Sequence, residues 1–561
     1  MQPEQSLAAP MHRRESLLER LCDRDVQRHI AYLAFAVLVA AAWIRNVNWD
    51  EFFFLSHIHA NLEGRLDRPM QTAYVHAFGW LAWIPGKEMA QVFVARLTMT
   101  LFLGITCLSI YRISKTVAGR DVAGLAVLAF LTSGFVIVYG ASFRADPIAA
   151  AGLMAAMAIM MTKRMGSVQT AVTALLIAAS LLVTVKAVLY LPAFLGVLLW
   201  RWPERGQVLR IFVSGLIGVG LASIIYIWHA SGIASSLSNE TANNAQRAFE
   251  TTLLDSGLFP RAREALLWAL LSLGAITLVA VGIGAGQNNR KICAALAFAL
   301  PCLLSILFYR NAFPYFFPFI TPPLMIITAM GAARLGRGPV LGTLIVLMLC
   351  TGAGQAVKAL SENAALQRAT LAEVHRLFPE PVPYIDHNAM VATFPRNLFF
   401  MSSMGLKHYR AAGQPVMAHL IETKRPPLLL ANRWALHVAM NDETVPDGPH
   451  LLFPEDAEAL RQSYIHYSGT IWLAGQETIL GSEPEDITLP FPGRYRVETD
   501  KPVVIDGNNV SDRMVIYSDG EHRVSGSLGQ KVRFVWDTFG TPRTGALPNG
   551  GLYVGFWKLQ P

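Results

Sequence analysis

Charged residues are scarce in this 561-residue chain. Asp, Glu, Lys and Arg make up 15% of it, against about 25% in an average soluble protein. Hydrophobic residues make up 53%, and the mean hydropathy is +0.38. The deficit of charge is concentrated between residues 29 and 357, where apolar runs of about 16–22 residues repeat, long enough to cross a bilayer. This pattern excludes an ordinary soluble protein and predicts a polytopic α-helical membrane bundle.

Cysteine is rare as well, and it is absent after residue 357. The five cysteines are Cys22, Cys107, Cys293, Cys302 and Cys350. Their positions exclude an internal disulfide in the last part of the chain, and no pair has metal-ligand spacing. The composition after residue 357 is that of a soluble protein. We therefore expect residues 358–561 to form an extracytoplasmic domain that folds through its own core.

The chain shows no small-residue cleavage site after its first apolar run, which is followed by Trp43, Asn46, Trp49 and Asp50. We therefore expect this run to be a retained span rather than a signal peptide. The polar, mixed-charge residues before it predict a cytoplasmic segment over 1–29, and residues 30–357 are the predicted membrane domain. No internal repeat is visible.

The positive charges, which give a net charge of +8, lie mostly in short connectors between apolar runs. That distribution indicates membrane topology rather than a nucleic-acid partner, because cytoplasmic loops are enriched in Lys and Arg. It predicts about eleven spans with the C-terminus outside. The candidate spans are 30–47, 90–111, 122–140, 147–162, 168–185, 187–200, 208–229, 264–285, 292–308, 314–333 and 339–357.

The outer connectors contain structure of their own. The first outer loop, 48–89, carries two aromatic-rich, partly polar segments that predict helices lying along the membrane surface. In the C-terminal domain, residues 370–450 mix helical patterns with short apolar runs, and residues 464–561 alternate short strands with turns. We expect a mixed α/β domain that ends in a β-sandwich-like part.

Acidic and cationic residues fall together on the predicted outer side. They come from four separate connections: Asp50 and Glu51, Arg144 and Asp146, Lys186, and Arg310 with Tyr315. Taken singly, each has a structural explanation, such as a loop acid, a helix cap or a Lys that snorkels to the headgroups. Taken together they predict a transfer site, in which cations stabilise a leaving phosphate and a carboxylate accepts a proton.

Four short motifs in this order resemble the GT-C glycosyltransferases related to protein O-mannosyltransferases and the lipid A aminoarabinose transferase. The motifs are Asn48-Trp49-Asp50-Glu51 with Leu62-Glu63-Gly64-Arg65-Leu66, then Arg144-Ala145-Asp146-Pro147, Thr184-Val185-Lys186-Ala187 with Pro192, and Asn311-Ala312-Phe313-Pro314-Tyr315-Phe316-Phe317-Pro318. The resemblance covers roughly residues 30–335. Ala187 stands where the family usually has Gly, and the C-terminal domain carries no motif of the family.

The resemblance implies a function and assigns roles. The activity would be transfer of a sugar from a polyprenyl-phosphate donor to a lipid, polysaccharide or protein acceptor, with inversion, outside the cytoplasmic membrane. Separately, the odd number of cysteines and the absence of sorting tails favour a bacterial inner membrane over an organelle. Asp50, with Glu51 beside it, would supply the catalytic base, and Asp146 would be a second acid. Lys186, Arg310, Tyr315 and Arg144 would bind the donor phosphate. No cofactor is required by the motifs, and a divalent cation near the acids is left open.

Two other functions compete with the transferase. A transporter or lipid flippase would place ionisable residues near the bilayer midplane, often in repeated halves, whereas here the charges lie at span ends. A membrane scaffold with a glycan-binding C-terminal domain would need neither Asp50 nor Lys186. The histidines of the C-terminal domain, among them His375, His387 and His437, are expected to be ordinary surface or core residues.

Overall fold

A computed structural model describes residues 16–233, 257–284, 289–397, 399, 401–442, 448–518, 520–538, 546–548 and 551–553. The chain forms two compact units. The first, here the helical unit, comprises Met1–Trp43, Asp67–Tyr74 and Arg96–Ser361; the second, here the mixed unit, comprises Ile44–Leu66, Val75–Ala95 and Glu362–Pro561. The sequence-based division into 1–29, 30–357 and 358–561 stays a prediction.

The helical unit is built from long apolar helices joined by short connectors. Its helices are Leu17–Leu21, Arg24–Ile44, Lys87–Ala118 (which belongs to this unit from Arg96 on), Arg120–Thr132, Val136–Tyr139, Ala145–Thr162, Ser167–Val183, Leu191–Arg201, Arg205–Ser231, Ala262–Leu271, Leu273–Gly284, Asn289–Phe308, Phe317–Ile320, Pro322–Leu335 and Pro339–Ser361. Two 3₁₀ segments, Val185–Tyr190 and Pro314–Phe316, interrupt the apolar runs. Each of these breaks carries a residue of the predicted site, Lys186 and Tyr315.

Six helices in the described ranges are long and apolar enough to cross a membrane, and up to eight if each of two bent pairs counts as one span. The bent pairs are Ala262–Leu271 with Leu273–Gly284, at 86°, and Pro314–Ile320 with Pro322–Leu335, at 63°. On helix Arg205–Ser231 the side chains of Leu216, Ile224 and Ile227 are exposed, which suits contact with lipid. The chain is thus a multi-pass membrane protein, and the count of about eleven spans stays a prediction.

Close helix packing holds the second half of the helical unit. A Cβ atom on Gly331 would overlap the carbonyl oxygen of Leu278, and one on Gly282 would lie 2.6 Å from the carbonyl oxygen of Ile327. Small residues let helix backbones approach in membrane proteins, where packing drives association. Helix Pro322–Leu335 follows the segment that carries Tyr315, so this packing holds the element into which that segment leads.

The mixed unit contains the first outer helices and the C-terminal sheets. Its helices are Trp49–Leu62, Val75–Phe78, Ala365–Leu377, Ser403–Ala412, Met417–Lys424, Trp434–Asn441 and Pro454–Ser463, with a 3₁₀ segment at Gly79–Trp83. The predicted helix in the first outer loop is therefore confirmed at Trp49–Leu62. Asn48 begins it with a capping box, in which its side chain accepts from the backbone N–H of Asp50 and the Glu51 carboxylate accepts from the N–H of Asn48.

Within the residues that the structure describes, eleven strands form two sheets. They are β1 (Tyr384–Ile385), β2 (Leu428–Leu430), β3 (Tyr464–Ser468), β4 (Ile471–Ile479), β5 (Glu485–Thr488), β6 (Gly493–Thr499), β7 (Val503–Ile505), β8 (Asn508–Val510), β9 (Val515–Ser518), β10 (Glu521–Ser525) and β11 (Lys531–Trp536). One sheet has the order β1-β2-β4-β11-β6-β9 with β3 beside β4, and the other has the order β5-β10-β7-β8. β1 and β2 are parallel, whereas the other pairs are antiparallel.

The two sheets share a hydrophobic core. Val497 and Phe534 from the first sheet pack in one buried cluster with Ile505 and Val524 from the second. The mixed α/β character predicted for the C-terminal domain agrees with these elements, and its description as a β-sandwich stays a prediction. Residues 390–393, one of the short apolar runs of this domain, form bends and turns, and the backbone N–H of Met390 donates to the buried Asp386 side chain.

Candidate functional site

A buried ionic group lies at the ends of two helical segments of the helical unit. Asp146 is in the first turn of helix Ala145–Thr162, and Arg144 is the residue that precedes this helix. The Arg144 Nε lies 3.2 Å from one Asp146 carboxylate oxygen, and the Lys186 ammonium pairs with the other. The side chains of Arg144, Asp146 and Lys186 are 8%, 5% and 15% exposed, respectively. A carboxylate held by two cations is fixed in position, and the cations keep an excess of positive charge.

Lys186 is presented by a break in the apolar run 168–200. Helix Ser167–Val183 ends at Thr184, whose hydroxyl accepts from the backbone N–H of Lys186, and a 3₁₀ segment leads into helix Leu191–Arg201. A single straight helix would bury this ammonium in the bilayer, at a cost of about 2.5–3.5 kcal/mol on insertion scales. The prediction that Lys186 lies at a turn between two helices is confirmed.

Aromatic rings extend the ionic group. The Arg144 guanidinium lies 3.6 Å from the centroid of the Tyr315 ring, and Tyr315 stacks on Phe313 with centroids 5.8 Å apart. On Phe313 lies the guanidinium of Arg261, 3.9 Å from the ring centroid. Cations are attracted to the faces of aromatic rings, so this series holds two guanidinium groups in fixed places. Two cations thus pair with the Asp146 carboxylate, and the ring series holds a third, Arg261, beyond them. Such a concentration of positive charge is suited to binding an anion.

The Arg261 side chain contacts the backbone of Arg310. Arg261 Nε donates to the carbonyl oxygen of Arg310 at 3.0 Å. Arg310, which sequence reasoning placed in the site, therefore lies beside it. Arg261 was missed by that reasoning, because it stands at the start of helix Ala262–Leu271 behind a polar loop and belongs to none of the motifs. Residues 234–256 of the loop 230–263, expected to border the site, lie outside the described residues.

A small cavity adjoins the ionic group. It has a volume of about 10 Å³, which is room for roughly one water molecule. Arg144, Asp146 and Tyr315 line it, together with Tyr139 and Phe319. The wall thus combines polar groups with apolar rings at the end of membrane-length helices.

Asp50 lies in the mixed unit, near the N-terminus of helix Trp49–Leu62, and is only 9% exposed. A helix N-terminus favours a carboxylate, because the unpaired backbone N–H groups there carry partial positive charge. Glu51 is fully buried in the capping box, where it holds the helix start. The predicted meeting of Asp50 with Asp146, Lys186 and Tyr315 stays a prediction, since Asp50 belongs to the other compact unit.

Residues of the C-terminal part surround the start of this helix within the mixed unit. The Arg433 guanidinium lies 3.8 Å from the centroid of a Trp49 ring. Asn388 Nδ2 donates to the carbonyl oxygen of Trp49 at 2.8 Å, and Tyr553 Oη donates to Asn388 Oδ1 at 2.9 Å. The Tyr553 ring packs edge-on against Trp49 and Phe52. None of these C-terminal residues was singled out as functional by sequence reasoning.

Strand topology explains how they come together. β1 and β2 are parallel, with Ile385 opposite Leu429, so the residues after both strands emerge at the same edge. Asp386, which follows β1, accepts from the backbone N–H groups of Ala389 and Met390 and from the Asn432 side chain after β2. Burial raises the pKa of the Asp386 carboxyl, against these hydrogen bonds. These hydrogen bonds connect the turn after β1 to the turn after β2.

His387 is neutral in this network. Arg433 Nη1 donates to His387 Nε2 at 3.0 Å, and since Arg can only donate, this ring nitrogen carries no proton. Burial lowers the pKa of His387 well below its usual value, and the nearby Arg433 and Arg396 add to the effect. His387 is thus a buried histidine, two residues beyond the end of β1, and its hydrogen bond with Arg433 was not expected from the sequence.

A pH-dependent stability follows from His387. The unfolded chain binds a proton at this site below about pH 6.5 and the folded chain does not, so stability falls as the pH drops through that value, by up to about 1.4 kcal/mol per pH unit. His387→Gln, which keeps an acceptor for Arg433 and does not titrate, is expected to make the unfolding temperature less dependent on pH between 7 and 5. Thermal unfolding of the full-length protein in detergent measures this.

The control is His437→Gln, which changes an exposed histidine of the same unit. Its pH dependence is expected to match the wild type. Comparison of variants removes the contributions of other titrating groups. Equal slopes for His387→Gln and the wild type would show that His387 does not bind a proton on unfolding.

Within the ranges that the structure describes, no three His, Cys, Asp or Glu side chains group in a way that could hold a metal ion. The pair His57 and His59 does not form such a site, and His59 Nε2 instead lies 2.9 Å from Gln91 Oε1.

Comparison with known proteins finds likeness in structure only. No protein-family model matches the chain, and no curated protein matches it by sequence. The crystal structure of ArnT from Cupriavidus metallidurans bound to undecaprenyl phosphate matches with a TM-score of 0.52 at 11% identity, over 71% of this chain and 91% of ArnT. The Archaeoglobus fulgidus oligosaccharyltransferase matches over 88% of this chain and 76% of its own at 10% identity, with a TM-score of 0.47 that is too low to carry an argument.

These structural neighbours are members of the GT-C superfamily. The likeness to ArnT covers most of both chains and concerns the fold. The fold implied by the four short motifs agrees with this likeness to ArnT. The chain therefore has a fold like that of a GT-C glycosyltransferase.

Proposed function

We propose that this protein is a glycosyltransferase that moves a sugar from a polyprenyl-phosphate donor to an acceptor of the cell envelope. The observation that carries the proposal is the group of Arg144, Asp146 and Lys186 with Tyr315, set at the ends of helices apolar enough to cross a membrane. A lipid phosphate needs that combination, because its charge requires cations while its chain requires an apolar surrounding.

The donor phosphate is assigned to the cations of this group. Lys186 and Arg144 would contact the phosphate oxygens. Tyr315 would support Arg144 through its ring, and Arg310 would lie at the edge of the phosphate site. Arg261, held on Phe313, extends the positive surface. The ArnT structure, which has a similar fold, contains undecaprenyl phosphate, and this supports a polyprenyl phosphate as the donor carrier.

Asp50 is assigned as the general base. Its carboxylate would take the proton of the acceptor hydroxyl as the oxygen attacks the anomeric carbon from the side opposite the phosphate. The bond from the anomeric carbon to the phosphate oxygen breaks, and the polyprenyl phosphate leaves with the electron pair. A single displacement of this kind inverts the anomeric centre, and the cations stabilise the charge that grows on the leaving phosphate.

Asp146 is assigned a supporting role. Its carboxylate forms ion pairs with both Arg144 and Lys186 and so fixes the distance between these two cations. Preorganised charges lower a barrier most when they need no rearrangement during the reaction. Transfer is expected on the outer face of a bacterial cytoplasmic membrane, with residues 358–561 on the same side. The acceptor is a lipid, a polysaccharide or a protein.

Removal of the gene tests the proposal. In the organism that encodes it, we expect one envelope glycan to lose a sugar and the corresponding polyprenyl-phosphate sugar to accumulate, because synthesis of the donor continues. Mass spectrometry of extracted lipids, polysaccharides and glycoproteins measures both changes, and a plasmid copy of the gene is expected to reverse them. Unchanged glycans and unchanged lipid-linked sugars in the deletion strain would contradict a transferase.

A further inference from the structure

Arg433 lies against the residue next to the proposed base, although it is far away in sequence. It precedes helix Trp434–Asn441, in the turn that follows β2. Its guanidinium is 3.8 Å from the centroid of a Trp49 ring, and its Nη1 donates to His387 Nε2 at 3.0 Å. These two contacts hold the flat guanidinium from one face and from one end.

The negative charge of Asp50 acts on Arg433. Burial lowers the pKa of Arg433, and the negative charge of Asp50 opposes that effect. Opposite charges removed from water attract each other more strongly than surface charges do. Asp50 is itself 9% exposed, so its charge needs a partner more than that of a surface carboxylate does.

Hydrogen bonds connect the surroundings of Arg433 to the backbone of Trp49. Asp386 connects the turn after β1 to Asn432, the residue before Arg433. From the turn after β1, Asn388 donates to the carbonyl oxygen of Trp49. The C-terminal part therefore holds both the backbone and the side chain of Trp49, one residue before Asp50.

We propose that Arg433 is a positioning residue for Asp50, which orients the carboxylate and balances its charge from the C-terminal part of the chain. This inference rests on the proposed function, in which Asp50 is the base. It gives the C-terminal part a role in the transfer step. Arg suits this role better than Lys, because only a planar guanidinium can stack on Trp49 while it donates to His387.

Other charged and titratable groups belong to the same part of the mixed unit as Asp50. Those on its own helix start and on the elements packed against it are Arg45, Glu51, Asp386, His387, Arg396, Arg433 and Tyr553. Arg396 lies 5.3 Å from the centroid of the Phe53 ring, further along the helix. Of the two arginines placed on this helix by ring contacts, Arg433 is the one that stacks on the residue next to Asp50.

The test combines rates and binding. Arg433→Gln is expected to slow formation of the glycan product by about ten- to a hundredfold, the range of a positioned charge that acts through another group. Binding of undecaprenyl phosphate, followed as the rise in the unfolding temperature of the full-length protein in detergent, is expected to stay unchanged. A residue that only stabilised the fold would lower the unfolding temperature without this selective loss of rate. Arg433→Lys, which keeps the charge, is expected to recover part of the rate.

Arg410→Gln is the matched control. Arg410 is also half-buried, belongs to the same unit and lies 4.2 Å from the centroid of the Phe453 ring. It is expected to leave the rate unchanged. An Arg433→Gln variant as fast as Arg410→Gln, in cells where Asp50→Asn is inactive, would overturn the role of Arg433 and leave the proposed function standing.

A second measurement applies if Arg433→Gln does not fold. Arg433→Lys is then compared directly with the wild type, and a rate about tenfold lower with unchanged lipid binding is expected because the stack on Trp49 is lost. A wild-type rate for Arg433→Lys would overturn the inference. Full activity of Asp50→Asn, by contrast, would contradict the proposed function itself.

Discussion

Replacement of Asp50 by asparagine is expected to slow sugar transfer by about a hundred- to ten-thousandfold, the usual contribution of a general base. Asn has nearly the same shape and cannot take the proton of the acceptor hydroxyl. The helix start is expected to survive, because the capping box is formed by the Asn48 and Glu51 side chains and uses only the backbone N–H of Asp50. The measurement is the initial rate of glycan product formation in cells that lack the native gene and express the variant.

An exposed acid supplies the control for this experiment. Asp67 belongs to the same outer connection and is paired on the surface with Arg68. Asp67→Asn is expected to transfer sugar at the wild-type rate, and binding of undecaprenyl phosphate is expected to be equal in both variants. An Asp50→Asn protein that is folded and transfers sugar as fast as Asp67→Asn would remove Asp50 from the mechanism.

The ionic group in the helical unit could be predicted from the sequence. The positive-inside rule placed Asp146 and Lys186 on the same predicted side, and the cost of a buried ammonium required a turn at Lys186. Both inferences use local physics: the length of an apolar run and the position of a charge within it. The ion pair between the two residues agrees with that reasoning.

The residues that surround Asp50 could not be predicted from the sequence. Asn388 is hydrogen-bonded to Trp49, which is 339 residues away in sequence, and no sequence pattern at either position indicates this contact. Asp386, His387 and Arg433 follow two very short strands, which resemble ordinary loop segments in a single sequence. Only the parallel pairing of β1 and β2 shows that these residues share an edge. Tertiary pairing of this kind is not encoded in local periodicity.

The bent helices show another limit. Apolar windows at 264–285 and 314–333 each predicted one continuous span, yet both regions contain a break with a bend of 86° or 63°. Hydropathy averages over such a break and does not detect it. Pro322 and Pro323, at the start of helix Pro322–Leu335, were a signal for the second break, because proline lacks the N–H needed to continue the preceding helix.

Lys186→Met is expected to lower the rate of transfer by about a hundred- to a thousandfold, the cost of losing one preorganised donor to a developing negative charge. Met has a similar length and no charge, so the leaving phosphate loses one of its two closest proposed cations. Stabilisation of the protein by undecaprenyl phosphate is expected to decrease in parallel. Lys163→Met, which changes an exposed lysine outside the proposed site, is the control and is expected to behave like the wild type.

Loss of Lys186 also leaves the buried Asp146 carboxylate with Arg144 as its remaining ion-pair partner among the contacts described here. Removal of one partner from a buried pair commonly costs about 3–5 kcal/mol, and less when a second partner remains. The double variant Asp146→Asn with Lys186→Met removes both charges and is expected to recover the unfolding temperature lost in Lys186→Met. Because the phosphate site still lacks its ammonium group, transfer is expected to stay low. Recovery of both stability and transfer would show that Lys186 serves the fold and not the donor.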